Sequence, residues 1–236
     1  ASRALETPLR IAYLGPAGTF SELAALGYFG ASIVHVPCGS IDEVFRATSG
    51  GAADFGVVPV ENSTEGVVAR SLDLFLTTPL AIVGETSLYV RHNLLRKVEG
   101  MAGLVAVCAH PQALAQCHAW LNDHLPQVER RPVASNAEGA RLASLDAALA
   151  GIASERAASE YGLHTLAPAI QDDPHNRTRF AVVALPDAHP QPRASGHDCT
   201  SLVVSVPNKP GAVHDMLMPL KRHAVSMTRF ESRPAR

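Results

Sequence analysis

A hydroxyl set between two guanidiniums is the first grouping in this chain that invites chemistry: Asn176-Arg177-Thr178-Arg179-Phe180. Arginine forks match carboxylates through two parallel N–H bonds, so the pair can clamp a dianionic acid. Their positive field also makes Thr178 a better proton donor. The same residues fit a solvated loop in which the threonine caps a turn. Thr228-Arg229-Phe230 repeats the tripeptide, so context has to separate the two copies.

Two further polar loops follow apolar runs. Glu61-Asn62-Ser63-Thr64 packs four hydrogen-bonding side chains together. It either caps a helix or forms the polar wall of a cleft. Gly15-Pro16-Ala17-Gly18-Thr19-Phe20-Ser21 opens onto a helical pattern, where backbone N–H groups and the helix dipole favour an anion. It has neither the G-K-[ST] ending of a P-loop nor G-x-G-x-x-G spacing. On spacing alone it reads first as a tight strand-to-helix turn. In open α/β sheets ligands bind beyond the carboxyl ends of strands, and all three loops lie at such places.

The elements that must position these loops alternate. Strands are expected at Leu9–Leu14, Ile33–Val36, Phe55–Val60, Leu80–Val83, Ser87–Val90, Leu104–Cys108, Val128–Ala134, Ala148–Ala153 and Phe180–Leu185. Helices are expected at Ser21–Phe29, Val67–Leu76, Pro111–Asn122 and Glu155–Tyr161, the last closed by Gly162. Two more follow capping boxes, Ser40 with Glu43 and Ser135 with Glu138, in which the serine oxygen takes an orphan N–H. The alternation predicts α/β layers with largely parallel sheets. A stretch from Pro186 to His197 with three prolines reads as a linker. Beyond it, strand Ser201–Val206, helix Gly211–His223 and strand Val225–Glu231 make a β-α-β piece too small to stand alone.

Composition narrows the function. The 236 residues carry 20 basic and 22 acidic side chains, a net charge of −2, so no basic stripe for nucleic acid is expected. With 47% hydrophobic residues the chain is not disordered. No window approaches a membrane span, and the start shows no export signal. That start, Ala1 rather than Met, suits a piece cut from something longer. Cys38, Cys108, Cys117 and Cys199 form no C-x-x-C pair and read as reduced, mostly buried thiols in a cytoplasmic protein. Neither a metal nor a cofactor is expected.

Taken together, the motifs resemble the prephenate dehydratase family with its C-terminal ACT regulatory domain. They are Gly15 to Ser21, Val58 to Gly66, His110-Pro111-Gln112-Ala113-Leu114, Ser135-Asn136-Ala137-Glu138, Tyr161-Gly162-Leu163, Ile170-Gln171-Asp172-Asp173 and Asn176 to Phe180, with Glu231-Ser232-Arg233-Pro234 near the end. The resemblance implies decarboxylative dehydration of prephenate to phenylpyruvate, CO2 and water, in phenylalanine biosynthesis. It makes Thr178 the donor to the leaving hydroxyl, Arg179 the ligand of a substrate carboxylate, and Glu61, Asn62 and Ser63 the cleft wall. Thr64, Asn176 and Phe180 are expected beside the substrate. Thr19 and Ser21, by the anion argument, take the other carboxylate.

The resemblance also implies a two-lobed α/β catalytic domain, like a periplasmic binding protein, over 8–187. Lobe 1 is about 8–84 plus 181–187, lobe 2 about 85–180, with crossings near Gly84 and Phe180. A linker, 188–197, then leads to a truncated α+β, ferredoxin-like ACT piece at 198–236. L-Phenylalanine is the implied effector, at Gly211, Ala212, Val213, Glu231, Ser232 and Arg233, and a homodimer or homotetramer the implied assembly. The other readings are an arogenate dehydratase and a non-catalytic two-lobed solute-binding protein.

Overall fold

A computed structural model describes residues 7–187, 196 and 198–232. The chain divides into two compact units, 1–192 and 193–236.

The first unit holds two sheets. In the first, β1 (Arg10–Leu14) lies parallel to β2 (Val34–Cys38) and β3 (Phe55–Asn62). The last strand, β11 (Arg177–Ala184), inserts antiparallel between β3 and β5 (Ala81–Tyr89), and the short β4 (Gly66–Val67) pairs with β3. In the second, β7 (Ala106–Ala109) is parallel to β8 (Glu129–Pro132) and β9 (Leu149–Ala153). There β6 (Asn93–Arg96) runs antiparallel to β9 and to β10 (His164–Ala167). Both sheets are thus mixed, not largely parallel. The strands that run against their neighbours' common direction are β11 and the short β4 in the first sheet and β6 in the second, and β6 and β11 are those by which the chain enters a sheet from the other one.

Strand alternation sorts the core. On the first sheet Ile11, Tyr13, Val57, Phe180 and Val182 face α1 (Phe20–Phe29). Ala12, Val58, Ala181 and Val183 face α2 (Ile41–Ser49) and α3 (Ala69–Thr77). On the second sheet Leu94, Val107 and Ile152 face α4 (Pro111–Gln116) and α5 (His118–His124). The opposite face takes α6 (Asn136–Leu145) and α7 (Glu155–Tyr161). Close approach brings α6 down on the strands: a Cβ on Gly139 would strike the Cys108 carbonyl, and one on Gly151 would sit 2.8 Å from the Ala140 nitrogen. The serine half of each capping box forms, Glu43 N–H donating to Ser40 Oγ at 3.2 Å and Glu138 N–H to Ser135 Oγ at 3.0 Å, while the Glu43 carboxylate accepts from Gly39 N–H and that of Glu138 turns to Arg141.

The crossings fall later than Gly84 and earlier than Phe180. Gly84 lies inside one continuous β5, where the Tyr28 side chain fills the space a Cβ would need. Phe180 is mid-strand in β11 and fully in the core. The chain leaves the first sheet after Tyr89 and returns at Arg177.

A polar strap joins the halves at α1. Ser154 Oγ donates to the Gly18 carbonyl at 2.7 Å, Tyr161 Oη to the Ala17 carbonyl at 3.2 Å, and Arg156 Nε to Glu22 Oε1 at 3.1 Å. The Glu22 carboxylate is 1% exposed and also accepts from Gly18 N–H at 2.6 Å. Removing its charge leaves Arg156 without its inner partner, and bonds to charged groups are worth about 1.5–3 kcal/mol. Glu22→Gln should therefore lower unfolding stability by about 2 kcal/mol, read from the urea midpoint; an unmoved midpoint would show that the strap carries no stability.

In the second unit one helix is described, α8 (Ala212–Arg222), capped by Gly211 in the left-handed region at φ 83°. The segments expected as strands, Ser201–Val206 and Val225–Glu231, are irregular and exposed. A strand needs hydrogen-bonding partners, and neither segment has a ladder among the described residues. Gly211, Ala212 and Val213 open α8, while Glu231 and Ser232 lie in the irregular segment; Arg233, Pro234 and most of the linker lie outside the described residues. No helix among the described residues is long and apolar enough to cross a membrane.

Candidate active site

Where the chain passes between the two sheets it leaves a small pocket. Its polar lining comes from Asn62, His92, Gln112, Gln116, Asn136 and Thr178, with Phe20 and Val90 as apolar walls. The even residues of β11 face α1, so Thr178 shares that face with Phe180 and Val182. It is the first of them to emerge from the core, 178 being half-buried and 180 buried.

Asn62 sets the state of the Thr178 hydroxyl. Its Oδ1 accepts backbone N–H bonds from Thr64 at 2.9 Å and Glu65 at 3.2 Å. Those two donors fix which end of the amide is oxygen. Its Nδ2 therefore donates, to Asn176 Oδ1 at 2.9 Å and to Thr178 Oγ1 at 2.9 Å. Both amide hydrogens are used. The threonine oxygen accepts, so its own hydrogen is left to point at a ligand. Asn176, 1% exposed, passes the polarity on, donating from Nδ2 to Gln116 Oε1 at 3.2 Å. The same Gln116 oxygen meets His92 Nε2 at 2.9 Å. Burial pushes the His92 pKa below its ordinary value, so the ring is neutral at pH 7. Cys117, just behind α4, is held as a thiol by burial, its pKa pushed up to about 12, which removes it as a nucleophile.

Several expected roles change. Arg179 is on the other face of β11 from Thr178, with Ala181 and Val183. Its guanidinium lies 3.2 Å from Glu61 and 3.1 Å from Glu85, so carboxylates on β3 and β5 already hold it. Arg177 turns to Ser87 on the same side. Neighbouring positions on a strand point to opposite faces, so two arginines flanking a threonine cannot join it in one clamp. Glu61 accordingly braces Arg179 instead of lining the pocket. Phe180 is a core residue, packed with Ile11 and Val57. Thr19 spends its hydroxyl on α1, donating to the Leu14 carbonyl at 2.8 Å and accepting from Glu22 N–H at 3.3 Å. Ser21 is buried. Ser63 accepts from Arg177 N–H at 2.9 Å and ties β3 to β11, and Thr64 is exposed. Arg179→Lys keeps a cation between Glu61 and Glu85, and partly exposed pairs contribute about 0.2–1 kcal/mol. It should leave the KM for substrate within about twofold; a tenfold rise would return Arg179 to the substrate.

Of the expected site residues, Thr178, Asn62 and Asn176 come together. His92, Gln112, Gln116 and Asn136 join them unannounced. Gln112 and Asn136 sit in motifs already quoted, at the starts of α4 and α6, where the family order was the available signal. His92 and Gln116 gave none. Among the described residues no cluster of acidic, histidine or cysteine side chains suits a metal ion.

Residues 11–188 match the family model for prephenate dehydratase. The chain belongs to the prephenate dehydratase family. A bifunctional chorismate mutase/prephenate dehydratase of Neisseria gonorrhoeae is 50% identical over 236 residues, with 99% of this chain and 64% of that protein covered. The protein of the same name from Stutzerimonas stutzeri is 47% identical over 234 residues, with 99% and 63% covered. The chain thus spans 63–64% of the length of these relatives. A crystal structure of prephenate dehydratase in complex with L-Phe, from Arthrobacter aurescens, superposes with a TM-score of 0.87 at 33% identity, covering 96% of this chain and 76% of that one. In this prephenate dehydratase family member the motif threonine Thr178 lines the pocket, while its copy Thr228 lies in the irregular exposed segment of the second unit.

Proposed function

We propose that the chain converts prephenate to phenylpyruvate, CO2 and water, with Thr178 as the donor to the departing hydroxyl. The observation that carries this is the Asn62 bond to Thr178 Oγ1, which is accepted by the oxygen and so leaves the hydroxyl hydrogen free to donate into the pocket. The reaction asks little more of the protein. The bond from the ring to its carboxylate breaks and its electron pair enters the ring. The ring C–O bond breaks with its pair to oxygen, CO2 leaves, and aromaticity drives the step. The oxygen takes the Thr178 proton and leaves as water; solvent returns a proton to the threonine. General-acid assistance of this kind contributes about 10²–10⁴-fold.

The carboxylates are held by polar and dipolar groups in this reading. Phe20 and Asn136 are the first residues of α1 and α6 and both reach the pocket. Helix starts favour negative charge. The pocket itself is about 100 Å³, below the roughly 300 Å³ and more of sites that enclose a whole small molecule. It takes the hydroxyl-bearing edge of the ring. The test is the initial rate of phenylpyruvate formation, with prephenate and arogenate assayed in parallel. Saturable turnover of prephenate supports the reading, and its absence removes it.

L-Phe, bound by the Arthrobacter aurescens relative, is the effector this reading assigns to the second unit, around Gly211. An initial rate indifferent to L-Phe over the millimolar range would withdraw that assignment.

A further inference from the structure

Two pocket groups have no hydrogen-bond partner among the described residues: His92 Nδ1 and Gln116 Nε2. Buried polar atoms are almost always paired, so an orphan in a pocket wall asks for a ligand. What each can offer follows from the amide chain. The backbone N–H groups of Thr64 and Glu65 fix Asn62, Asn62 fixes Asn176, and Asn176 presents Nδ2 to Gln116, whose facing atom is therefore Oε1. An oxygen that receives Asn176 can also only receive from His92. The hydrogen of the neutral ring is thus on Nε2, and Nδ1 carries a bare lone pair. His92 is 2% exposed, and its ring meets Phe20 edge-on at 5.6 Å.

We propose that His92 is a further catalytic residue, its Nδ1 accepting the hydrogen of the substrate hydroxyl while Thr178 donates to the oxygen of the same group. This rests on the dehydratase reading. At pH 7 both carboxylates of prephenate are ionised and its keto oxygen only accepts, so the ring hydroxyl is the one donor the substrate brings. Bracketing it from both sides orients the C–O bond. As that bond breaks the oxygen gains a second hydrogen and becomes a better donor, so the His92 bond strengthens toward the transition state. No proton passes to His92; the substrate hydrogen stays on the leaving water.

Three variants separate the two ring nitrogens. His92→Phe removes both and keeps the ring packing. His92→Gln places a donor near Nε2, still able to reach Gln116, and has no acceptor near Nδ1. His92→Asn places an oxygen near Nδ1 and gives up the bond to Gln116. Phe and Gln should lower kcat on prephenate by about 10–100-fold with KM within threefold, while Asn recovers kcat to within threefold of the parent. Recovery by Gln and not by Asn would overturn the proposal, because it would reduce His92 to holding Gln116. So would three variants all within threefold of the parent. A parent chain with no prephenate turnover defeats the dehydratase reading instead, a separate outcome. Nitrogen-15 NMR of histidine-labelled protein, with His92 assigned by difference from His92→Gln, reads the tautomer directly. The proposal requires the proton on Nε2; a proton on Nδ1 overturns it whatever the kinetics.

Discussion

Thr178→Val should reduce kcat on prephenate by about 10²–10⁴-fold, the range for a lost general acid, while KM stays within about threefold. Valine matches threonine in shape and branching, so β11 and its pairing with β3 and β5 are preserved. The loss is of the oxygen alone. Thr178→Ser is the matching rescue: it keeps the hydroxyl at the Asn62 amide and should return most of the turnover. Binding survives in the valine variant because the substrate carboxylates are held elsewhere. If valine retained kcat within threefold, the hydroxyl would not be the donor. If serine were as slow as valine, the missing methyl group, not the proton, would be at fault. Thr228→Val serves as a control and should leave the chemistry untouched, since it lies outside the unit that holds the pocket.

Asn62→Asp should cost kcat about 10²–10³-fold although it replaces one atom with another of the same size. The new carboxylate still accepts from Thr64 and Glu65, so the turn after β3 is kept. Its second oxygen now accepts where the amide donated. The Thr178 hydroxyl then turns to give its hydrogen to this oxygen, and the pocket loses its donor. Asn176 must rotate its amide as well, carrying the reversal on toward Gln116 and His92. The pH dependence has a defined sign. Protonating the introduced carboxyl restores a donor toward Thr178, so the variant should recover part of its activity as pH falls, where the parent does not gain. A variant that keeps parental kcat at pH 7 would show that the Asn62–Thr178 bond does not set the direction of the hydroxyl.

These expectations join readings of very different origin. The helix starts at Ser40 and Ser135 were legible because a cap is local: a serine, then a glutamate three residues on. The buried runs around Val57 and Val182 were legible from continuous apolar sequence. β6 and β10 were missed. They are four residues each, β6 begins at Asn93 and ends at Arg96, and β10 begins at His164. The crossing that the resemblance implies near Gly84 falls five residues later, because Gly84 lies within β5 and makes room for Tyr28, which no local pattern shows.

The site divides along the same line. Thr178 and Asn62 were found because each lies in a motif dense with polar groups. Arg179 was assigned to a substrate carboxylate because guanidinium chemistry says so; Glu61 and Glu85 answer that chemistry first, from neighbouring strands whose pairing no local pattern reveals. Phe180 follows from parity, since position 180 shares a face with 178 but sits two residues deeper in the sheet. His92 comes from the connection between β5 and β6, Gln116 from α4 and Asn136 from α6. Only the antiparallel return of β11 brings them to Thr178.

A double-mutant cycle on kcat, with Thr178→Val, Asn62→Asp and the two combined, bears most directly on the claim that Asn62 acts by aiming the Thr178 hydrogen at the substrate. Groups that act as one unit are non-additive. With the hydroxyl gone there is nothing left for Asn62 to aim, so on the Thr178→Val background Asn62→Asp should cost no more than the roughly 10–100-fold that passes through His92, less than it costs the parent. A double variant slower by the product of the two single losses would mean that the residues act independently, and would contradict the account.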